Sequence, residues 1–174
     1  MPSQFQTIVQ SAVLKSAANL TAQLASSWRS PNTDPRAVDW QSVAEFAIFG
    51  LIQAHINCYW QRYLEDTFPS RLKGSPKTLW HNVLFKLVLD QTVGLFIMNT
   101  VFLVSTHAIR LSDLRLVIME VNRKIWPLIR KAWKIWPACA LINFLWVPVE
   151  SRVLVASCVG FGWNIFLTLY ALAK

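Results

Sequence analysis

The chain has 174 residues, 54% of them hydrophobic and only 15% charged, and its mean hydropathy is +0.36. An ordinary globular domain carries roughly 25% charged residues, so the composition points away from a soluble domain and the length leaves little room for two. The balance of 17 basic to 9 acidic residues gives a net charge of +8, but the bases sit mostly between apolar runs, so the expected partners are membrane lipids, including anionic head groups, rather than nucleic acid.

The first candidate span is residues 5–28, rich in Ala, Ser, Thr and Gln with the single charge Lys15. Ala18, Ala22 and Ser26 recur every four positions, a spacing that lets helices approach closely in lipid. The segment lacks the positive n-region of a secretory signal. It is acid-free as far as Asp34, a faint transit-peptide character, and cleavage is not expected. Residues 29–40 contain Pro31 and Pro35 among mixed charges and read as a loop. Residues 43–60 form a second, shorter apolar run holding Glu45 and His55, and residues 61–82, with Pro69, Gly74 and Pro76, read as another loop.

Residues 83–105 are long enough to cross the hydrocarbon core, which takes about 20 residues, and hold two charges, Lys86 and Asp90. These lie four apart on one helical face. Each charge at mid-membrane costs roughly 2.5–3.5 kcal/mol, so the two are expected to form an internal ion pair or to serve function. In residues 110–135, Leu111, Leu114, Val117, Ile118, Val121, Ile125 and Ile129 recur at helical spacing. Arg110, Arg115, Arg123, Lys124, Arg130, Lys131 and Lys134 fill other positions. That pattern predicts an amphipathic segment in the bilayer interface, broken in two by Pro127. A helix pair packed on the bundle is the alternative. A short apolar stretch, 135–149, leads into the charge-free final span, 153–173, where Ala156 and Gly160 repeat the small-residue spacing. The basic loop at 106–135 leans toward the side of synthesis, without fixing the orientation.

The predicted fold is therefore all-α: one integral membrane domain over residues 1–174, a multi-pass helix bundle of about four spans, with the amphipathic segment between spans three and four. Polar residues Lys86, Asp90, Gln91, Asn99 and Asn143 are candidates to line a narrow water-accessible path. Glu45, Asp90 and Glu150, among many aromatics, are low-ranking candidates for acid catalysis, since an apolar site keeps a carboxylic acid neutral and able to donate a proton. His55, His81 and His107 are scattered, and Cys58, Cys139 and Cys158 fall in apolar runs without a C-x-x-C, so no metal, cofactor or disulfide is implied and apolar packing is expected of each cysteine.

Near the C-terminus the chain reads W-x-x-W-P-x-x-x-x-x-N-F-x-x-V-P-x-x-x-R, carried by Trp133, Trp136, Pro137, Asn143, Phe144, Val147, Pro148 and Arg152, followed by Trp163-Asn164 and Phe166-Leu167. This resembles the signature of the Mpv and peroxisomal membrane protein family. Trp60 and Leu64 through Pro69 resemble its W-Y-x-x-L-D-x-x-x-P segment, with Gln61 in place of Tyr. Lys86, Asp90 and Gln91 resemble its K-x-x-x-D-Q segment, and Gln23 matches the Gln closing its first-helix motif. The chain departs at Ala18-Asn19, Ala54-His55, Phe96 and Ala140, where the family has Gly-Asp, Gly-Pro, Pro and Gln.

The resemblance implies a small multi-pass protein of the mitochondrial inner membrane or peroxisomal membrane, associated with small-solute channel activity. A homo-oligomer is compatible with it. A membrane-embedded enzyme for a lipophilic, isoprenoid-like substrate and a structural assembly factor are the alternatives. In physical terms Pro137 and Pro148 free backbone carbonyls that must find partners in lipid. Asn143 is placed to supply an amide, and Arg152 to donate to those carbonyls or pair with Glu150. The tryptophans are expected to anchor helix ends at head-group depth.

Overall fold

The computed structural model describes residues 3–29, 38–72, 77–108 and 113–172. Its helices are α1 (Gln4–Arg29), α2 (Trp40–Thr67), α3 (Trp80–Leu89), α4 (Leu95–Ala108), α5 (Leu114–Ala132), α6 (Trp136–Trp146) and α7 (Val149–Leu172), with a π-turn at Asp90–Gly94 joining α3 and α4 into one rod. Six helical rods result among the described residues. The expected spans fall on α1, α2, the α3–α4 rod and α7. The stretch Trp80–Thr106 is long and apolar enough to cross a bilayer, and only 17% of its most apolar window is buried inside the protein. An apolar helix that shows most of its surface outward is a lipid-facing helix rather than the core of a soluble fold.

Local chemistry sets several helix starts. Ser3 and Gln6 exchange side-chain and backbone hydrogen bonds of 2.9 and 3.2 Å, a capping box that opens α1. Asp39 and Asp113 accept from the backbone N–H groups of Ser42 and Arg115 at 3.0 and 2.8 Å at the N-caps of α2 and α5. Pro137 occupies the first turn of α6, where its missing N–H costs nothing.

α1 packs on α2 and α7. Its buried positions are Thr7, Ser11, Ala12, Ala18 and Ala25, so the tight seam takes in Ala18 of the Ala18/Ala22/Ser26 row. Ala22 is half-buried, and the Ser26 side chain lies outside the described residues. Ser11 and Ser157 join α1 to α7 by a buried hydroxyl–hydroxyl bond of 3.0 Å. Gln23 bridges α1 to the start of α2: its Oε1 accepts from the Asp39 N–H at 2.8 Å and its Nε2 donates to the Asp39 carbonyl at 3.1 Å.

Three expectations are corrected. The loop expected at 61–82 shrinks, because α2 continues to Thr67: residues 61–67 carry their own helical pattern, with Gln61 and Leu64 buried and Arg62, Tyr63 and Asp66 outward. Gly74 and Pro76 lie outside the described residues, as do residues 30–37 of the first loop. Pro127 does not break the amphipathic segment, and α5 runs through it. Ile125 and Ile129, on either side, pack against Leu103 of α4. Pro127 itself is exposed, so the carbonyl it frees faces outward, where it can be hydrated. Cys58 packs with Ala54 and Val153, but Cys158 faces outward. On α5 the Arg115, Arg123, Arg130 and Lys131 side chains are exposed beside outward-facing Ile118, Met119 and Trp126. Arg110 and Leu111 of this segment lie outside the described residues.

Candidate functional site

Pro148 removes the N–H that would bond the carbonyl of Phe144. That carbonyl, buried at the end of α6, accepts from Ser70 Oγ at 3.1 Å. Val147 adopts an extended conformation and the chain turns at once into α7. Arg152, one turn into α7 and 4% exposed, reaches back across the turn: its Nε donates to the carbonyls of Asn143 and Val147 at 3.2 and 3.1 Å. Asn143 Nδ2 returns a bond to the Arg152 carbonyl at 3.3 Å. Arg152 thus caps carbonyls at the turn, as expected, but those of Asn143 and Val147; the carbonyl that Pro148 frees is met by Ser70.

Its ionic partner is different from the one expected. Arg152 Nη2 pairs with Glu65 Oε2 at 2.8 Å, not with Glu150. Lys86, fully buried, pairs with the same oxygen at 2.6 Å and also donates to Ser70 Oγ. The predicted Lys86–Asp90 pair does not form. Side chains tilt toward a helix N-terminus, which carries Lys86 toward the α2 end where Glu65 sits. Both cations also lie over the Phe144 ring, 5.0 and 5.2 Å from its centroid. Glu65 therefore gathers α2, α3 and α7 onto α6, with Ser70 N–H adding a bond of 2.8 Å.

Burial pushes the Glu65 carboxyl up, but the bonds from Lys86, Ser70 and Arg152 outweigh it and hold the group down at about 2. Glu65 lies beyond the expected span 43–60. An unfolded Glu titrates near about 4.3. The folded value is lower, so the stabilisation is fully present above the unfolded value and is lost as pH falls through the folded one. Thermal stability in nanodiscs should accordingly be insensitive to this group between neutral pH and about 5, and should decline from about 4.3 toward 2.

Asp90 opens the π-turn and faces a separate group. Its Oδ1 accepts from Trp60 Nε1 and Gln61 Nε2 at 3.1 and 3.2 Å, and its Oδ2 from Gln91 Nε2 at 2.9 Å. Gly94 makes this possible, since a Cβ there would sit 2.9 Å from Trp60 Nε1. The Gln91 carbonyl accepts from Trp133 Nε1 at 2.8 Å, tying the end of α5 to the π-turn. π-turns inside α-helices occur frequently at functional sites.

Between the helices lies a cavity of about 380 Å³. Of the predicted polar path, Asp90, Asn99 and Asn143 line it, whereas Lys86 and Gln91 do not. Arg152 lines it too, as do Phe144, Trp136 and Trp163 of the C-terminal motif; Trp133 and Pro148 lie outside its wall, and the Asn164 side chain lies outside the described residues. Glu45, buried on α2 and bonded by Gln41 at 3.3 Å, and Glu150, beside Cys58 and Arg62 in a small cleft, do not reach it. The three candidate acids therefore share no site. Sequence reasoning passed over Glu65, Ser70 and Lys15 as site residues. Glu65 was detectable: it holds the acidic position of the W-x-x-x-L-[DE]-x-x-x-P segment, in a stretch otherwise read as loop.

The described residues form a helical bundle with an ion-paired interior, a largely apolar cavity carrying a few polar groups, and one rod, Trp80–Thr106, long and apolar enough to cross a membrane. A sequence model of the Mpv17/PMP22 family matches residues 109–168. The chain is 31% identical to PXMP2/4 family protein 3 of Dictyostelium discoideum over 141 residues, 81% of this chain and 73% of that one. It is 29% identical to protein SYM1 of Eremothecium gossypii over 109 residues, covering 63% and 58% of the two, and 22% identical to protein SYM1 of Saccharomyces cerevisiae over 134 residues, covering 76% and 67%. The chain belongs to the Mpv17/PMP22 family of organelle membrane proteins. No solved structure matches it.

Proposed function

We propose that the chain is a multi-pass protein of the mitochondrial inner membrane or the peroxisomal membrane that conducts small solutes or assists their transport. One observation carries the reading: a cavity of about 380 Å³ between the helices whose wall includes Asp90, Asn99, Asn143 and Arg152. Polar groups at this depth in a membrane bundle are costly unless they face a cavity or one another. The Glu65 ion cluster holds the helices around that space. Exposed bases on α5 beside outward apolar side chains support a seat for this helix among anionic head groups.

Purified protein in planar bilayers is expected to conduct. Asp90→Asn removes a negative charge from the wall and should lower the cation-to-anion permeability ratio by about twofold or more, in the direction Coulomb attraction dictates. Silent bilayers, with insertion verified by protease protection, would sink the channel reading. An unchanged ratio in a conducting Asp90→Asn variant would remove Asp90 from the path.

A further inference from the structure

The cavity offers an occupant fewer polar groups than its wall contains. The Asp90 oxygens are taken by the N–H donors of Trp60, Gln61 and Gln91. Arg152 is paired with Glu65 and bonded to the carbonyls of Asn143 and Val147. Lys15 rests its ammonium over the Phe49 ring, 4.9 Å from the centroid. Asn99 Nδ2 donates to the Leu95 carbonyl at 2.7 Å, and the Ser157 hydroxyl to that of Ser11 at 3.0 Å. The side-chain atoms of Gln61, Asn143 and Arg152 that lack a partner are shut off from the space as well. What stays open to an occupant is apolar and largely aromatic, with Phe46, Phe49, Met98, Phe102, Phe161 and Trp163 in the wall.

The packing of the bundle shows where this space opens. α4 packs on α2 and α5, and α7 on α1, α2 and α6, so α4 and α7 stand apart with the cavity between them. The wall residues from Asp90 to Phe102 belong to the middle and later part of Trp80–Thr106, the rod long enough to cross a bilayer. The gap therefore lies at the depth of acyl chains, where water is scarce. Trp163 stands at its edge, in the wall and yet 38% exposed. Phe96 and Val104 face outward on α4, so the lipid-facing surface of that helix runs on into the cavity. Left empty, an apolar space of about 380 Å³ would cost its wall atoms their packing contacts. At ~30 Å³ per water it has the volume of roughly a dozen waters, close to that of as many methylene groups.

We propose that this cavity holds an acyl chain of a bilayer phospholipid, entering between α4 and α7, and that the chain plugs the solute path until it is displaced. The plug rests on the transport reading and adds a regulator to the same site. The seat of the chain is tested by lipid content rather than by conductance.

Gly160 lines the cavity, and a Cβ there would meet only Trp136, at 3.9 Å, whereas nothing lies within 4 Å of a Cβ on Gly162. Ala156, one turn before Gly160, lines the cavity too. Full-length protein reconstituted with dioleoylphosphatidylcholine is passed through gel filtration in digitonin, a steroid glycoside without an alkyl tail, and phospholipid is counted per chain. Wild type and Gly162→Leu should each retain a phospholipid that Ala156→Leu/Gly160→Leu has lost, because the added side chains fill the space. Dihexanoylphosphatidylcholine, with the same head group, should show no such difference, since each methylene left unburied weakens binding by about fourfold. Should the double variant lose its thermal transition, Gly160→Leu alone carries the test in the same direction. Equal lipid content in folded wild-type and filled protein would overturn the proposal. So would the same excess with the short-chain lipid, which would show that the head group is what is held. Conducting protein without the excess lipid would overturn the plug and leave the channel, whereas excess lipid in protein silent in bilayers would sustain the seat and remove the channel.

Discussion

Glu65→Ala should all but abolish the folded protein. The substitution leaves Lys86, 0% exposed, and Arg152, 4% exposed, facing each other with no anion between them. Removing one partner from a buried ion pair costs about 3–5 kcal/mol, because the remaining charge is stranded, and here two charges are stranded. A domain's whole stability is only about 5–15 kcal/mol. The ordering of three variants makes the test sharp. Lys86→Met leaves Glu65 and Arg152 as a balanced pair and keeps the chain's volume beside Phe144, so it should be the mildest. Arg152→Ala leaves Lys86 and Glu65 balanced but strips the Val147 carbonyl of its Arg152 donor, while the Asn143 carbonyl keeps the bond from the Val147 N–H, adding about 1–3 kcal/mol for the one unsatisfied group. Glu65→Ala should be the most severe. Steady-state abundance in the membrane fraction and thermal midpoints in nanodiscs would show this order. A Glu65→Ala protein as abundant as Lys86→Met would mean that the cluster does not hold the bundle.

The same cluster marks where the sequence could be read and where it could not. Runs of hydropathy located α1, α2, the α3–α4 rod and α7, although among the described residues only Trp80–Thr106 is long and apolar enough to cross a membrane. The Trp–Pro–Asn–Phe–Pro–Arg motif was visible as a bend, because Pro148 has a fixed backbone consequence at any position. Its partners were not visible. Lys86 and Asp90 sit at a spacing that suggests mutual pairing, yet Lys86 pairs with a residue 21 positions away and Asp90 turns to Trp60 and Gln61. Spacing along one helix says which side chains share a face; it does not say which neighbouring helix lies opposite. The π-turn that begins at Asp90 also shifts the register of everything after it, and no local residue pattern announces it. The end of α2 was misplaced for a simpler reason: residues 61–67 are too polar to register as a span, although they remain helical and bury Gln61 and Leu64.

Gly50→Leu is expected to detach α1 from the bundle. A Cβ on Gly50 would lie 2.7 Å from Ala12 Cα, a backbone atom, and 3.3 Å from Lys15 Cδ. The lysine end can swing aside, but a backbone atom cannot move without moving its helix, and α1 is fixed on its other flank by the Ser11–Ser157 bond to α7. Overpacking a tight contact costs about 1–3 kcal/mol, occasionally more, and Gly50→Ala should already fall in that range. The larger Leu side chain should exceed it and expose α1 to protease. Ala12→Gly in the same chain should rescue little, because the clash is with the backbone rather than with the Ala12 methyl. Gly162 is the matched control: nothing lies within 4 Å of its added Cβ, so Gly162→Ala on α7 should be neutral or stabilising by up to about 1 kcal/mol through helix propensity. Displacing α1 also carries Lys15 away from the cavity wall. A Gly50→Leu protein with wild-type stability and protease resistance would show that α1 and α2 do not cross in contact at this glycine.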